Sequence, residues 1–536
     1  MIYRHITAGA LLLAILVIFA GCARENAGAS FAYDIAQEPQ NLDPQLATDT
    51  ASLLVLHNTL EGLMSYDTDG ALTEGAALSY TVSDDRMTYV FTLDETAQWV
   101  QLGEEYAPVT AHDFVLAFQR IFDRNTASPY IKGFMCLNNA DAVVAGEKPK
   151  EALGVYASDI YELTVQLSYP FEGFLALTAS TPAMPCNPAL FTESKGKYGT
   201  NIQNMAFNGP FALTSWKSGK SLTLTKNDLY HRADEVVPER VTLYPGNTQE
   251  EMTARFMEGT TNVMNVSGDR IEALVAEGYG YKQFQDTTWA LVLNTNDAAF
   301  ANRNIRLAFA RAFTDASYIN QFPIWLKRAG ALVPPVVSTG SQPYRQVAGL
   351  DLSLPYIPEN ALQSLHDGLA ELELPALPEI TVLCPEDEIF GFLMQFVQQT
   401  WQDDLSAFVS LERHSESDLQ RAVKSGTYQI ALIPFRPDSD NVSEMLSQFA
   451  SDSPKNLTGY HNADYDALLT AATLTRSQDA STACLIQAEQ MLIEEGVLIP
   501  FAYQTSFYVL SKDAQDIVIS PFGGGLYFKY AKIDTR

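Results

Sequence analysis

Ser83-Asp84-Asp85-Arg86-Met87-Thr88-Tyr89-Val90-Phe91-Thr92-Leu93, then Trp99, then Ala107-Pro108-Val109-Thr110-Ala111-His112-Asp113-Phe114, is the stretch on which the fold reading turns. Tyr89, Phe91 and Leu93 alternate with Val90 and Thr92, the period of a half-buried strand. The polar Ser83-Asp84-Asp85 suits a chain reversal before it. Thr110 followed by Asp113 has the form of a capping box, and Phe114, Ala117, Phe118, Ile121 and Phe122 make an apolar stripe at helical spacing. The pattern predicts strand, loop and amphipathic helix. Taken as pattern alone, this is ordinary core.

The wording is more specific than the pattern. Ser-Asp-Asp-x-x-Thr-Tyr-x-Phe-x-Leu, Trp99, Pro-Val-Thr-Ala-x-Asp-Phe-Val from Pro108 and Ala-Ser-Pro-Tyr ending at Tyr130, in that order, resemble the family 5 extracellular solute-binding proteins, the peptide-binding receptors of ABC importers. Working outward, the same resemblance is carried by Glu38-Pro39-x-x-Leu42-Asp43-Pro44, Glu61-Gly62-Leu63 and Asn208-Gly209-Pro210-Phe211 with Trp216-Lys217-x-Gly219. Further on come Leu293-Asn294-Thr295, Asn304-Ile305-Arg306-x-Ala308-Phe309 and Gly459-Tyr460 followed by Tyr465-Asp466-x-Leu468. It runs from about Ala36 to Phe528 and departs at Asn262, where family members often carry an acid.

The resemblance implies an α/β, two-lobed periplasmic-binding-protein-like fold of type II, cluster C, with an extra inserted subdomain. Lobe I would take 31–60, 188–287 and 506–536, the inserted subdomain of lobe I 61–187, and lobe II 288–505. Pro170, Pro182, Pro185 and Pro188 break the chain repeatedly where the insertion would end. Phe211 to Leu224 reads as a hairpin turning at Lys217-Ser218-Gly219-Lys220. Gly219-Lys220-Ser221 resembles the end of a phosphate loop, but Thr214 stands where the first glycine must be, and a hairpin offers no helix N-terminus to a phosphate.

The chain has 536 residues, 47% of them hydrophobic, and a formal net charge of −30. That is ample for two or more domains, and the acidity argues against nucleic acid as a partner. Residues 1–22 read as a lipoprotein signal peptide: Arg4 and His5, an apolar run from Ile6 to Ala20, then Phe19-Ala20-Gly21-Cys22. The last four resemble a lipobox with Cys22 as the lipidation site, although Phe19 replaces the expected Leu; a plain secretory signal and an anchor helix are the alternatives. Residues 23–30 read as a tether. Cys136, Cys186, Cys384 and Cys484 remain, and sequence leaves all three pairings open. Since the resemblance puts Cys136 and Cys186 in one inserted region, a disulfide between them is expected there. Cys384 follows the apolar run 380–383 and is expected as a buried thiol.

For catalysis the sequence offers no His-Glu-x-x-His, no Gly-x-Ser-x-Gly and no Gly-x-Gly-x-x-Gly, and neither a metal nor another cofactor is expected. Candidates for ligand binding come from the resemblance. Phe435 and Asp438 fall where peptide receptors carry an aromatic residue and the acid that pairs with the ligand α-amine, while Pro434, Ser439 and Val442 depart from the usual residues. A carboxylate suits a buried ammonium. Tyr130 matches a cleft tyrosine, Trp289 lies in the first crossing strand, and Tyr503 and Gln504 lie in the second; Arg436 is the nearest cation. The expected partners are a peptide ligand, ABC permease subunits and, through the lipid, the extracytoplasmic face of the bacterial membrane, with the protein a monomer. A nickel chelate, an oligosaccharide or a signalling peptide as ligand, and an exported hydrolase, are the other readings.

Overall fold

Two long strands carry the architecture seen in the computed structural model, which describes residues 29–534 apart from 69, 70, 172, 267, 315, 317, 341, 438, 476, 523 and 524. The signal segment with Cys22, most of the tether and the side chain of Asp438 lie outside the described residues.

Eleven strands form the main sheet: β1 (Ser30–Ile35), β2 (Phe211–Lys217), β3 (Ser221–Lys226), β4 (Arg240–Pro245), β5 (Val263–Val266), β6 (Gly280–Leu293), β7 (Leu326–Arg328), β8 (Ile380–Pro385), β9 (Val409–His414), β10 (Ile430–Phe435) and β11 (Leu498–Leu510). Their order is β2-β3-β4-β1-β5-β11-β6-β10-β8-β9, with β7 paired to β11. β6 and β11 run antiparallel from Gly280 opposite Leu510 to Val292 opposite Leu498. Their neighbours change halfway. β5 pairs only with Phe507–Leu510 of β11, and β10 only with Thr288–Leu293 of β6.

The hydrophobic cores follow that exchange. One core gathers residues from Phe31 to Val263 and from Tyr508 to Ala531. Two others lie on opposite faces of the second half of the sheet. Leu291, Leu293, Ile430 and Leu432 serve one, and Ala290, Val292, Ala431 and Ile433 the other, as the two-residue period of a strand requires. The molecule is therefore two-lobed, with β6 and β11 passing through both lobes. The hairpin read at 211–224 is β2–β3.

The opening stretch forms as its pattern predicts. Thr88–Leu93 is the middle strand of a separate four-stranded sheet, between Ala77–Val82 and Glu162–Gln166. Tyr89 and Phe91 both reach the buried ring of Phe174, at 4.6 and 6.4 Å between centroids. Helix α1 (Ala111–Ile121) starts with Asp113 accepting from the Thr110 amide at 2.6 Å. Phe114, Ala117, Phe118 and Ile121 are its buried stripe.

The expected Cys136–Cys186 disulfide is not formed: both thiols are buried and free. Both are packed in the first core, where Cys186 Sγ accepts from the Arg120 guanidinium at 3.4 Å, and burial pushes both thiols up to about 12. Sharing a subdomain does not bring two side chains together. Cys384 is a buried free thiol, as its apolar context predicts.

Candidate functional site

Where β10 ends, the sheet passes from one lobe to the other. Phe435 closes β10 opposite Thr288 and is buried against Phe449, with ring centroids 5.5 Å apart. The next residue, Arg436, turns back to the crossing strands and donates to Asp286 Oδ2 of β6 at 2.7 Å. Asp286 is fully buried and also accepts from Ser506 Oγ of β11 at 2.9 Å. One carboxylate thus joins three strands at the hinge. Pro437, after the exposed Arg436, is buried.

Groups of the first lobe face groups of the second across this seam. Arg436 is near enough to Tyr33 of β1 to oppose part of the rise that burial imposes on that phenol. Packing around Tyr66, and then the Asp440 carboxylate, raise the Tyr66 phenol. Asp440 is held by the Ser338 amide at 2.5 Å. Further out, Lys132 lies 4.0 Å from Asp452. Tyr33, Tyr66 and Tyr527 keep contact with solvent, yet burial among protein atoms is the first cause of the raised pKa of each. Tyr33 and Tyr66 of the first lobe thus lie within electrostatic reach of Arg436 and Asp440 of the second. A cavity of about 60 Å³ adjoins Tyr66, lined by His57, Glu61, Tyr230, Tyr527 and Lys529 among others. His57 hydrogen-bonds with Tyr527 Oη at 3.2 Å, and burial lowers its pKa to about 4, so it is neutral.

The remaining candidates from sequence are dispersed. Trp289 is half-buried, donates to Gln504 Oε1 at 2.6 Å and packs on Phe390 at 4.2 Å. Tyr130 is half-buried and donates to the Ala47 carbonyl within the first lobe. Tyr503 is buried in the second lobe near Arg345 and Glu489. Sequence reasoning missed Tyr33, Tyr66, Asp286, Asp440 and Ser506. Only Asp286 carried a signal, as a lone acid leading into the apolar run Trp289–Leu293.

Comparison with known proteins adds a second line of observation. Residues 71–456 match the family model for bacterial extracellular solute-binding proteins, family 5. The chain is 27% identical to the dipeptide-binding protein DppE of Bacillus subtilis, over 96% of each chain. It is also 27% identical to the oligopeptide-binding protein OppA of the same organism, covering 93% of this chain and 91% of that one. The structure of Listeria monocytogenes OppA bound to peptide superposes with a TM-score of 0.76 at 27% identity, over 95% of this chain and 100% of the other.

Proposed function

The chain belongs to the bacterial extracellular solute-binding proteins of family 5, and from that premise we propose that it is the substrate-binding component of an ABC importer, capturing oligopeptides by hinge closure and delivering them to the permease. The observation that carries this reading is the pair of crossing strands, β6 and β11, which exchange first-lobe for second-lobe neighbours halfway along and meet the end of β10 there. Chains alike over nearly their whole length include dipeptide- and oligopeptide-binding proteins. Closure about such strands shields a ligand from water without new chemistry, the transport energy coming from the ATPase.

In this reading Asp438 meets the ligand α-amine. Phe435 and Arg436, just before it, are tied to the sheet, Phe435 by burial and Arg436 through Asp286. The division of 31–60, 188–287 and 506–536 from 288–505 draws support from the partition of the buried cores; the insertion of 61–187 rests on the resemblance. The protein acts as a monomer and not as an enzyme. Its place is the outer face of the membrane, held by a lipid on Cys22. Changing Cys22→Ser should release a soluble or uncleaved form; a variant still recovered from membranes in processed, acylated form contradicts the anchor.

Incubation with a defined peptide mixture, followed by native mass spectrometry of the protein and sequencing of the mixture, tests the function. Intact peptides retained by the protein support the receptor. Shortened products in solution support the exported hydrolase, and a carried-over chelate or sugar moves the ligand class.

A further inference from the structure

The hinge has a second edge, opposite the one that carries Arg436. There β5 pairs with Phe507–Leu510 of β11, and β7 pairs with Ala502–Gln504 farther along the same strand. β5 belongs to the first lobe and β7 to the second. The interval between them, Thr505 and Ser506, is where the sheet passes from lobe to lobe. Trp325 sits at that interval. It precedes β7, and its carbonyl accepts from the Thr505 amide at 2.8 Å.

Its side chain bridges the lobes. Trp325 packs against a small first-lobe core that includes Met264, Val266, Ile271 and Phe507. It also packs against the second-lobe core that contains Phe390, whose ring lies 6.1 Å away in an edge-on arrangement. The seat on the first lobe is Gly268, at the start of helix α2 (Gly268–Ala276). A Cβ there would stand 2.0 Å from Trp325 Cγ and 2.1 Å from Cδ1. The three atoms that such a Cβ would approach most closely all belong to Trp325.

We propose that Trp325, seated on Gly268, is the hinge wedge of this protein: a positioning residue that holds the two lobes at a set angle before any ligand arrives. The ring is rigid and shares buried surface with both lobes, so a change of lobe angle must either carry it along or unseat it. Along the edge of β11 between β5 and β7 no ladder pair is formed among the described residues, and the Trp325 carbonyl takes the Thr505 amide there. Loss of the seat removes the contact that limits opening at this edge, and the ligand-free lobes then sample wider angles.

The test is a double-mutant cycle on the ligand-free full-length protein, with the radius of gyration from small-angle scattering as readout. Trp325→Ala and Gly268→Ala should each enlarge it by about 1 Å on a starting value near 24 Å for a chain of this length. The double variant should be no larger than Trp325→Ala alone, because the added methyl then meets no indole. Far-ultraviolet circular dichroism confirms folding, and Trp325→Phe takes the place of Trp325→Ala if the latter does not fold. Radii unchanged in both single variants overturn the proposal, as does an effect of Gly268→Ala that persists in full without the tryptophan.

Discussion

Arg436 is half exposed, while the Asp286 it holds is wholly buried, so the two halves of the pair are not equivalent. Among the described residues, removing the arginine leaves the buried carboxylate with hydroxyl donors, Ser506 and Thr287. Arg436→Ala should therefore destabilise by about 1.5–3 kcal/mol, the range for a hydrogen bond to a charged group, and urea unfolding measures it. The discount from a fully buried pair reflects the solvent already around the guanidinium. Asp438, two residues on, is proposed to act on the ligand rather than on the fold. Asp438→Asn keeps shape and removes charge, and losing one partner of a buried charge pair costs about 2–5 kcal/mol. Affinity for a free-amine peptide should fall by tens- to thousands-fold, whereas N-acetylated peptides should bind both proteins weakly. Calorimetry on the four combinations decides it, and equal affinity of both proteins for the free-amine peptide would mean that the ligand is anchored elsewhere.

At the scale of elements, the sequence words that pointed to the family prove to be buried polar joints between segments far apart in the chain. Asp43 of Leu-Asp-Pro accepts from Arg120 on α1 at 3.0 Å. Asn208 of Asn-Gly-Pro-Phe exchanges hydrogen bonds with the main chain of Glu61, at 3.1 and 3.0 Å, and a Cβ on Gly209 would lie 2.7 Å from Thr59. Such joints tolerate few residue types, which is why they were legible. Strand and helix periods were legible for the reason set out at Tyr89–Phe91–Leu93. The cross-lobe groups were not, because Tyr33, Tyr66 and Asp440 meet only through tertiary structure and share no local pattern. The same holds for Glu61, His231 and Asp94. His231 lies between the two carboxylates, Nε2 at 2.7 Å from Glu61 and Nδ1 at 2.9 Å from Asp94. Burial opposes its protonation, but the Glu61 and Asp94 contacts prevail and its pKa is raised. Burial likewise opposes ionisation of Glu61 and Asp94, and their hydrogen bonds, those from His231 among them, hold both pKa values low. A histidine raised on folding contributes stability that is complete below its unfolded value of about 6.5 and lost as pH climbs through the folded value. The two carboxylates contribute in the opposite sense, losing theirs as pH falls through their lowered values. Stability should thus decline on both sides of a plateau. His231→Gln should abolish the alkaline decline, as read from urea midpoints between about pH 5 and pH 9; a wild-type profile flat above neutrality would exclude the imidazolium.

The whole molecule is two sets of cores joined through β6 and β11, and that arrangement governs how it unfolds and how a ligand acts on it. The core spanning Phe31 to Ala531 draws nothing buried from residues 264–507, while the second-lobe cores are confined to residues 290–502. Each lobe therefore has the means to unfold as its own cooperative unit, coupled through the crossing strands and the contacts beside them. Calorimetry of the ligand-free protein should show two overlapping transitions rather than one. A peptide held between the lobes binds neither unfolded lobe, so at a hundredfold excess over its dissociation constant it stabilises by about 2.7 kcal/mol. Because it needs both lobes folded, that stabilisation falls on both transitions and drives them together into a single, hotter one. A ligand held by one lobe alone would raise one transition and leave the other in place. The shape of the melt with peptide therefore separates capture between the lobes from binding on one of them, and two transitions that stay equally far apart would contradict closure around the ligand.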